Sequence, residues 1–112
     1  MIAPEPSTGT STPEIYEAIR TTDGTGAVIK GHLLTRGQAE TRRQNGLDIV
    51  VCGADETDNY LLAADIEASA GPWTHHRPHP VSAGPQALPH FQQRRIPPRG
   101  HSFYETATKK AV

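Results

Sequence analysis

The stretch LDIVVCG, residues 47–53, decides the fold, because it is the strongest strand signal in the chain. Its unbroken apolar run, residues 49–52, is typical of a strand buried on both faces of a sheet. The apolar stripe of residues 59–70 then predicts a helix with Asp58 as its N-cap and Gly71-Pro72 at its end. No glycine-rich phosphate loop joins the two, so we interpret them as a core strand and its packing helix.

Upstream of this unit the sequence predicts another strand and another helix. Residues 27–34 carry β-branched residues at their centre, which favours a strand. Thr35 and Gln38 have the spacing of a capping box and predict a polar helix that ends at Asn45-Gly46.

The first ordered element is predicted to be a short helix over residues 12–22. Thr12, Pro13 and Glu14 supply an N-cap, a proline at the first helical position and an acid in the first turn. Ile15 and Ile19 follow, four residues apart, and would lie on one face of that helix.

The last third of the chain is rich in proline, since seven of the ten prolines lie between Pro72 and Pro98. Long helices are therefore excluded there, and we expect loops, short strands near residues 87–92 and 101–106, and a turn at 97–100. The sequence thus predicts an α+β fold, with short helices at the N-terminal side packed on a small, mainly antiparallel sheet and Pro-rich loops before the last strand.

The chain has 112 residues, which suits one domain. Residues 1–11 have the composition of a flexible linker, and residues 12–112 form the predicted single domain. A linker at this position suggests a parent delivery protein upstream of it. We expect no membrane span and no signal peptide, because the chain lacks a long apolar run and a basic, apolar start.

Charge is unevenly distributed along the chain. Residues 1–73 carry five Lys/Arg against eleven Asp/Glu, a net −6, whereas residues 74–112 carry six against one, a net +5, with five of the six histidines. This asymmetry indicates a surface that faces a polyanion. A soluble surface with accidental asymmetry is the alternative.

The segment LPHFQQRRIPPRGHSFYE, residues 88–105, contains most of the candidate chemistry. RNA can be cut without a metal, because its 2′-OH is a built-in nucleophile that needs a base, an acid and cations for the phosphate. Histidine suits both proton roles and arginine binds phosphate in a bidentate manner. The predicted catalytic residues are His101, His90, Arg95 and Tyr104. The predicted substrate-binding residues are Arg94, Arg99, His75, His76, His79 and Phe91.

Strand alternation limits this cluster. In a regular strand His101 and Phe103 point to one face and Ser102 and Tyr104 to the other, so Tyr104 ranks below His101. The alternative interpretation makes Phe103 a core residue, Tyr104 a rim residue and the arginines a solvated face.

The motif THHRPHP raises the possibility of zinc through His75, His76 and His79. Pro78 and Pro80 exclude a helix that would place two of these rings on one face. We therefore expect no metal and no cofactor, and interpret the segment as a phosphate-facing loop.

A compact basic domain behind a linker, ending in GHSFYE, resembles the C-terminal toxin modules of bacterial polymorphic toxins, carried by contact-dependent, Rhs-type and type VI effectors. Metal-independent ribonucleases of the barnase and colicin type are among them. The resemblance implies His101 and His90 as acid and base, and an arginine among 94, 95 and 99 on the phosphate. It also implies a cognate immunity protein, and secretion or delivery into a target cell whose cytoplasm is the place of action.

The resulting prediction is a toxin domain, an endoribonuclease, that cleaves tRNA or rRNA by metal-independent acid–base transesterification. Two alternatives stay open: a non-catalytic module that binds nucleic acid or a protein partner, and a zinc-dependent DNase toxin.

Overall fold

A computed structural model describes residues 12–78 and 83–112. Its elements in chain order are β1 (Glu14–Arg20), β2 (Val28–Leu34), α1 (Arg36–Gln44), β3 (Ile49–Cys52), α2 (Glu56–Ala68), β4 (Trp73–His76), β5 (His90–Gln93) and β6 (Ser102–Tyr104). The strands form one six-stranded sheet in the order β2-β1-β3-β6-β5-β4. Neighbouring strands are antiparallel except for β3 and β6, which run parallel. The predicted α+β class with a mainly antiparallel sheet is confirmed.

The stretch 47–53 forms the centre of the sheet. Ile49 and Val51 pack under the two helices, whereas Val50 and Cys52 pack in a second cluster on the opposite face. All four residues of β3 are buried, as its apolar run predicted. The capping box is also confirmed, because the Thr35 side chain accepts from the Gln38 backbone and the Gln38 side chain accepts from the Thr35 backbone.

The predicted first helix is wrong, because residues 14–20 form β1. The spacing of Ile15 and Ile19 fits a strand as well as a helix, since residues i and i+4 share a face in both. β1 lies between β2 and β3, so both of its backbone edges are hydrogen-bonded in ladders. Pairing with β2 and β3 favours the strand over the helix, and the sequence of residues 14–20 alone does not predict that pairing.

Two smaller predictions also need correction. Asp55, not Asp58, is the N-cap of α2, and its side chain accepts from the Asp58 backbone N–H at 2.9 Å. The segment Trp73–His76 forms an edge strand that pairs with β5, where the sequence predicted a loop. Pro72 and Pro78 lie just outside this strand and leave its ladder intact.

Neither helix among the described residues combines the length and hydropathy needed to cross a bilayer, as expected.

Candidate functional site

A row of polar side chains crosses the sheet on the face opposite the helices. Alternation along β1, β4 and β5 aims three of them to this face, the other two directly precede β3 and β6, and the strand order places all five side by side. From β1 to β4 this cross-strand row contains Arg20, Asp48, His101, His90 and His76.

The centre of the row is the pair His90 and His101. His90 opens β5 and faces Phe103 of β6, and His101 directly precedes that strand. Their ring centroids lie 4.6 Å apart with planes at 81°. Phe103 lies 5.4 Å from the His90 ring and 5.2 Å from the His101 ring, so it forms an apolar floor beneath the pair.

Asp48 holds His101 in place. Its Oδ1 accepts from the backbone N–H of His101 at 2.7 Å and lies 3.3 Å from Nδ1 of the ring. Arg20 Nε lies 3.4 Å from Asp48 Oδ2. Burial raises the pKa of Asp48, but the hydrogen bonds and charge of His101, with the charge of Arg20, outweigh burial and lower it. Asp48 is therefore a carboxylate that orients the imidazole and stabilises an imidazolium formed there.

His90 is held in its neutral form. Burial, and next the charge of His101, lower its pKa to about 4. Its Nε2 lies 3.2 Å from Gln92 Oε1, whereas its Nδ1 is buried with no hydrogen-bond partner among the described residues. Because Nδ1 is shielded from solvent, Nε2 is the ring nitrogen through which His90 can exchange a proton with a ligand.

Two clefts open along the row. The larger, about 570 Å³, includes apolar wall residues Ala87, Leu88 and Phe103 and the two paired histidines. The smaller, about 210 Å³, is lined in part by Arg99, Gly100 and Gln92. Arg20 and His101 line both clefts. Any ligand that spans the two must therefore pass over these two side chains.

The row also contains one of the predicted binding histidines. His76 of β4 is exposed and stacks on His90, with centroids 5.5 Å apart and planes at 16°. His75 points to the other face, because consecutive strand residues alternate. His75 and His76 therefore point to opposite faces of the sheet and cannot bind one metal ion together.

Within residues 12–78 and 83–112, no group of three His, Cys, Asp or Glu is arranged to hold a metal ion. His79 lies outside the described residues.

Tyr104 and Phe91 do not join the row. Both are buried in the core beneath the helices, where Tyr104 OH lies 2.8 Å from His75 Nε2. Burial raises the pKa of Tyr104 to about 12. The predicted separation of His101 and Tyr104 is confirmed. Neither Tyr104, predicted as a catalytic residue, nor Phe91, predicted as a substrate-binding residue, lines either of the two clefts.

The three predicted arginines have different positions. Arg94 Nε donates to the carbonyl of Trp73 at 3.1 Å, which fixes it beside β4. Arg95 is exposed on the loop after β5. Arg99 is exposed and lines the smaller cleft, so of the three it is the one placed beside His101.

A buried ion pair supports the site from below. Arg43 and Glu67 are both fully buried and make two contacts, 2.8 Å and 2.9 Å. Ser102, next to His101, donates to Glu67 at 2.7 Å, and Arg43 also donates to the Arg99 carbonyl at 2.9 Å. Arg99 and Ser102, which flank Gly100-His101, are therefore hydrogen-bonded to the two helices through Arg43 and Glu67.

We expect Gly100→Ala to disturb the site. Gly100 has φ +95°, and a Cβ there would lie 2.8 Å from Arg43 Nη1 and 3.0 Å from Asp48 Oδ1. The free energy of unfolding should fall by about 1–3 kcal/mol, measured by urea denaturation. The control is Gly37→Ala in α1, where a Cβ meets nothing within 4 Å; it should add roughly 0.5–1 kcal/mol. Equal effects of the two variants would contradict this description of Gly100.

Asp48, Arg20 and Gln92 were missed as site residues in the sequence. The sequence contains a weak signal for Asp48, because it is a single acidic residue directly before the strongest predicted strand. Arg20 was missed because residues 12–22 were predicted to be a helix, whereas it lies at the end of β1. Gln92 was missed because its role depends on its contact with the His90 ring, which only the structure shows.

Comparison with known proteins gives no assignment: no protein-family model, no curated protein and no solved structure matches this chain.

Proposed function

We propose that the cross-strand row is the active site of a metal-independent endoribonuclease. The observation that carries the proposal is the pair His90–His101: two imidazoles 4.6 Å apart at a cleft, one held neutral and the other fixed by a carboxylate. Two titratable groups in contrasting environments are a common arrangement for an acid and a base.

In the proposed mechanism His90 is the base. It takes the proton of the ribose 2′-OH, whose oxygen attacks the adjacent phosphorus. The proton is taken by Nε2, since Nδ1 is buried; the 2′-OH then replaces Gln92 as the partner of Nε2, and catalytic hydrogen bonds often form only in the substrate complex. His101 is the acid: it gives a proton to the leaving 5′-oxygen as the P–O bond breaks, leaving a 2′,3′-cyclic phosphate. Asp48 keeps its ring oriented throughout.

Arg20 serves the phosphate in this proposal. Its side chain is 60% exposed, although one nitrogen lies 3.4 Å from Asp48. The rest of the guanidinium is free to donate to a phosphate oxygen, where added negative charge develops in the transition state. Arg99 supplies a second cation across the smaller cleft.

The test is RNA cleavage in EDTA as a function of pH. Because the base must be unprotonated, kcat/KM should fall only as pH drops through about 4, the pKa of His90. At pH 5 a histidine with an ordinary pKa would be about 3% neutral, so retention of most activity there would identify a shifted base. An acid limb centred near 6.5, with the fold intact by circular dichroism, would contradict the role of His90.

The proposal extends to the biological setting of a delivered bacterial toxin. Its support is the resemblance of GHSFYE and the basic C-terminal third to polymorphic toxin modules. tRNA or rRNA would be the target in the cytoplasm of the recipient cell, and a cognate immunity protein would cover the site.

Expression in a bacterial host should accordingly arrest growth, whereas His101→Ala should be harmless at equal protein level. Growth that is unaffected by the wild-type chain would contradict the toxin setting and leave the chemistry to be judged by the cleavage assay.

A further inference from the structure

The two clefts differ in size and lining, and this difference bears on the substrate. A pocket of about 570 Å³ is within the range, roughly 300–1,000 Å³, in which proteins bind small organic ligands, whereas one of about 210 Å³ is below it. The larger cleft therefore has the size to accept a nucleoside, whereas the smaller lies below the usual range for such a ligand and suits the narrower sugar–phosphate backbone.

The linings agree with this division. Ala87, Leu88 and Phe103 give the larger cleft an apolar wall, and Thr22 stands on its rim in the turn after β1. The smaller cleft has apolar groups too, from Ile96 and Pro98, but it adds an exposed guanidinium, that of Arg99, and the side chain of Gln92. An apolar wall suits a base and a cation suits phosphate.

The junction fixes where the reacting group would lie. Arg20 and His101 line both clefts, so a chain threaded through them brings its phosphate to these two side chains. On one side of that phosphate a base enters the larger cleft; on the other the ribose and phosphate continue along the smaller one. A base that is paired and stacked in a duplex cannot enter the cleft without being flipped out, at a cost of a few kcal/mol.

We infer that the substrate is single-stranded RNA with one nucleoside in the larger cleft and its phosphate between Arg20 and His101, so that base selection acts on one side of the cleaved bond only. The inference rests on the proposed ribonuclease function and specifies its substrate.

The first measurement is kcat/KM for the full set of dinucleoside monophosphates. Changing the base on one side should alter the rate about tenfold or more, and changing the other base should alter it less than about twofold. Thr22→Trp, which fills the mouth of the larger cleft, should slow all cleavage about tenfold or more. Thr57→Trp, at an exposed position of α2 that lines neither cleft, is the matched control and should leave it unchanged.

The second measurement is binding of fluorescent 2′-O-methyl oligonucleotides, which resist cleavage because the 2′-OH is blocked. Single strands should bind more tightly than duplexes, and Thr22→Trp should weaken binding while Thr57→Trp does not.

These measurements separate the inference from the function beneath it. Cleavage with equal selection on both sides, or with both tryptophan variants alike, would overturn the inference and leave the ribonuclease proposal standing. Absent cleavage with binding that depends on Thr22 would remove the ribonuclease proposal and keep the nucleoside cleft. Absent cleavage and absent binding would overturn both.

Discussion

Replacing Arg43 with alanine is expected to lower the free energy of unfolding by about 3–5 kcal/mol. The variant leaves the fully buried Glu67 carboxylate without its cation, and a buried charge that loses its partner is strongly destabilising. Since domains of this size are stabilised by roughly 5–15 kcal/mol, a loss of this magnitude would leave little folded protein near physiological temperature.

The effect reaches further than one ion pair. Arg43 also donates to the carbonyls of Leu47 and Arg99, and Glu67 accepts from Ser102 and from Gln93. Replacing the whole pair with apolar residues should therefore not restore stability, because these other groups would remain buried without partners.

Arg36→Ala in the same helix is the matched control. Its pair with Glu40 is a surface i, i+4 contact at 3.0 Å, worth about 0.3–0.5 kcal/mol. Chemical denaturation of both variants measures the difference. A loss below 1 kcal/mol for Arg43→Ala would contradict the buried network.

The second large effect is expected at His101. His101→Ala should lower kcat/KM for RNA by about 10²- to 10⁴-fold, since it removes a proton donor that acts in the transition state. The loss should be in kcat more than in KM, because in the proposed complex Arg20 and Arg99 would still contact the phosphate. Single-turnover cleavage with excess protein measures the chemical step alone.

His32→Ala is a suitable control for this variant. His32 also contacts a carboxylate, Glu17, at 3.0 Å, but its side chain is 91% exposed on β2 and outside the cross-strand row. It should retain full activity. Loss of activity in both variants, or in neither, would contradict the proposal that His101 is the proton donor.

The fold could be predicted from sequence where a short pattern is compatible with only one kind of secondary structure. An unbroken apolar run gave β3, and the Thr35–Gln38 capping box gave α1. Prediction failed at β1, where a spacing of four residues fits both a helix and a strand. It failed at β4, whose four residues are stabilised by pairing with β5. Both failures lie in long-range pairing that no short segment of sequence contains.

The site was predicted only in part, for the same reason. His90 and His101 were singled out because their residue type and neighbours indicate proton transfer, and alternation separated His101 from Tyr104. Asp48 is 53 residues from His101, and only the parallel pairing of β3 with β6 brings the two together. The apolar run of β3 indicates only a core strand and carries no signal that the residue before it belongs to a site.

The proposed activity is metal-independent cleavage of RNA, in which the 2′-OH of the RNA itself attacks the adjacent phosphorus. The most direct measurement is analysis of the products formed from single-stranded RNA in EDTA, beside the same oligonucleotide with 2′-O-methyl riboses. The account predicts fragments ending in 2′,3′-cyclic phosphate from the first substrate and no cleavage of the second. Intact RNA at all protein concentrations, or cleavage of the methylated strand as well, would contradict it.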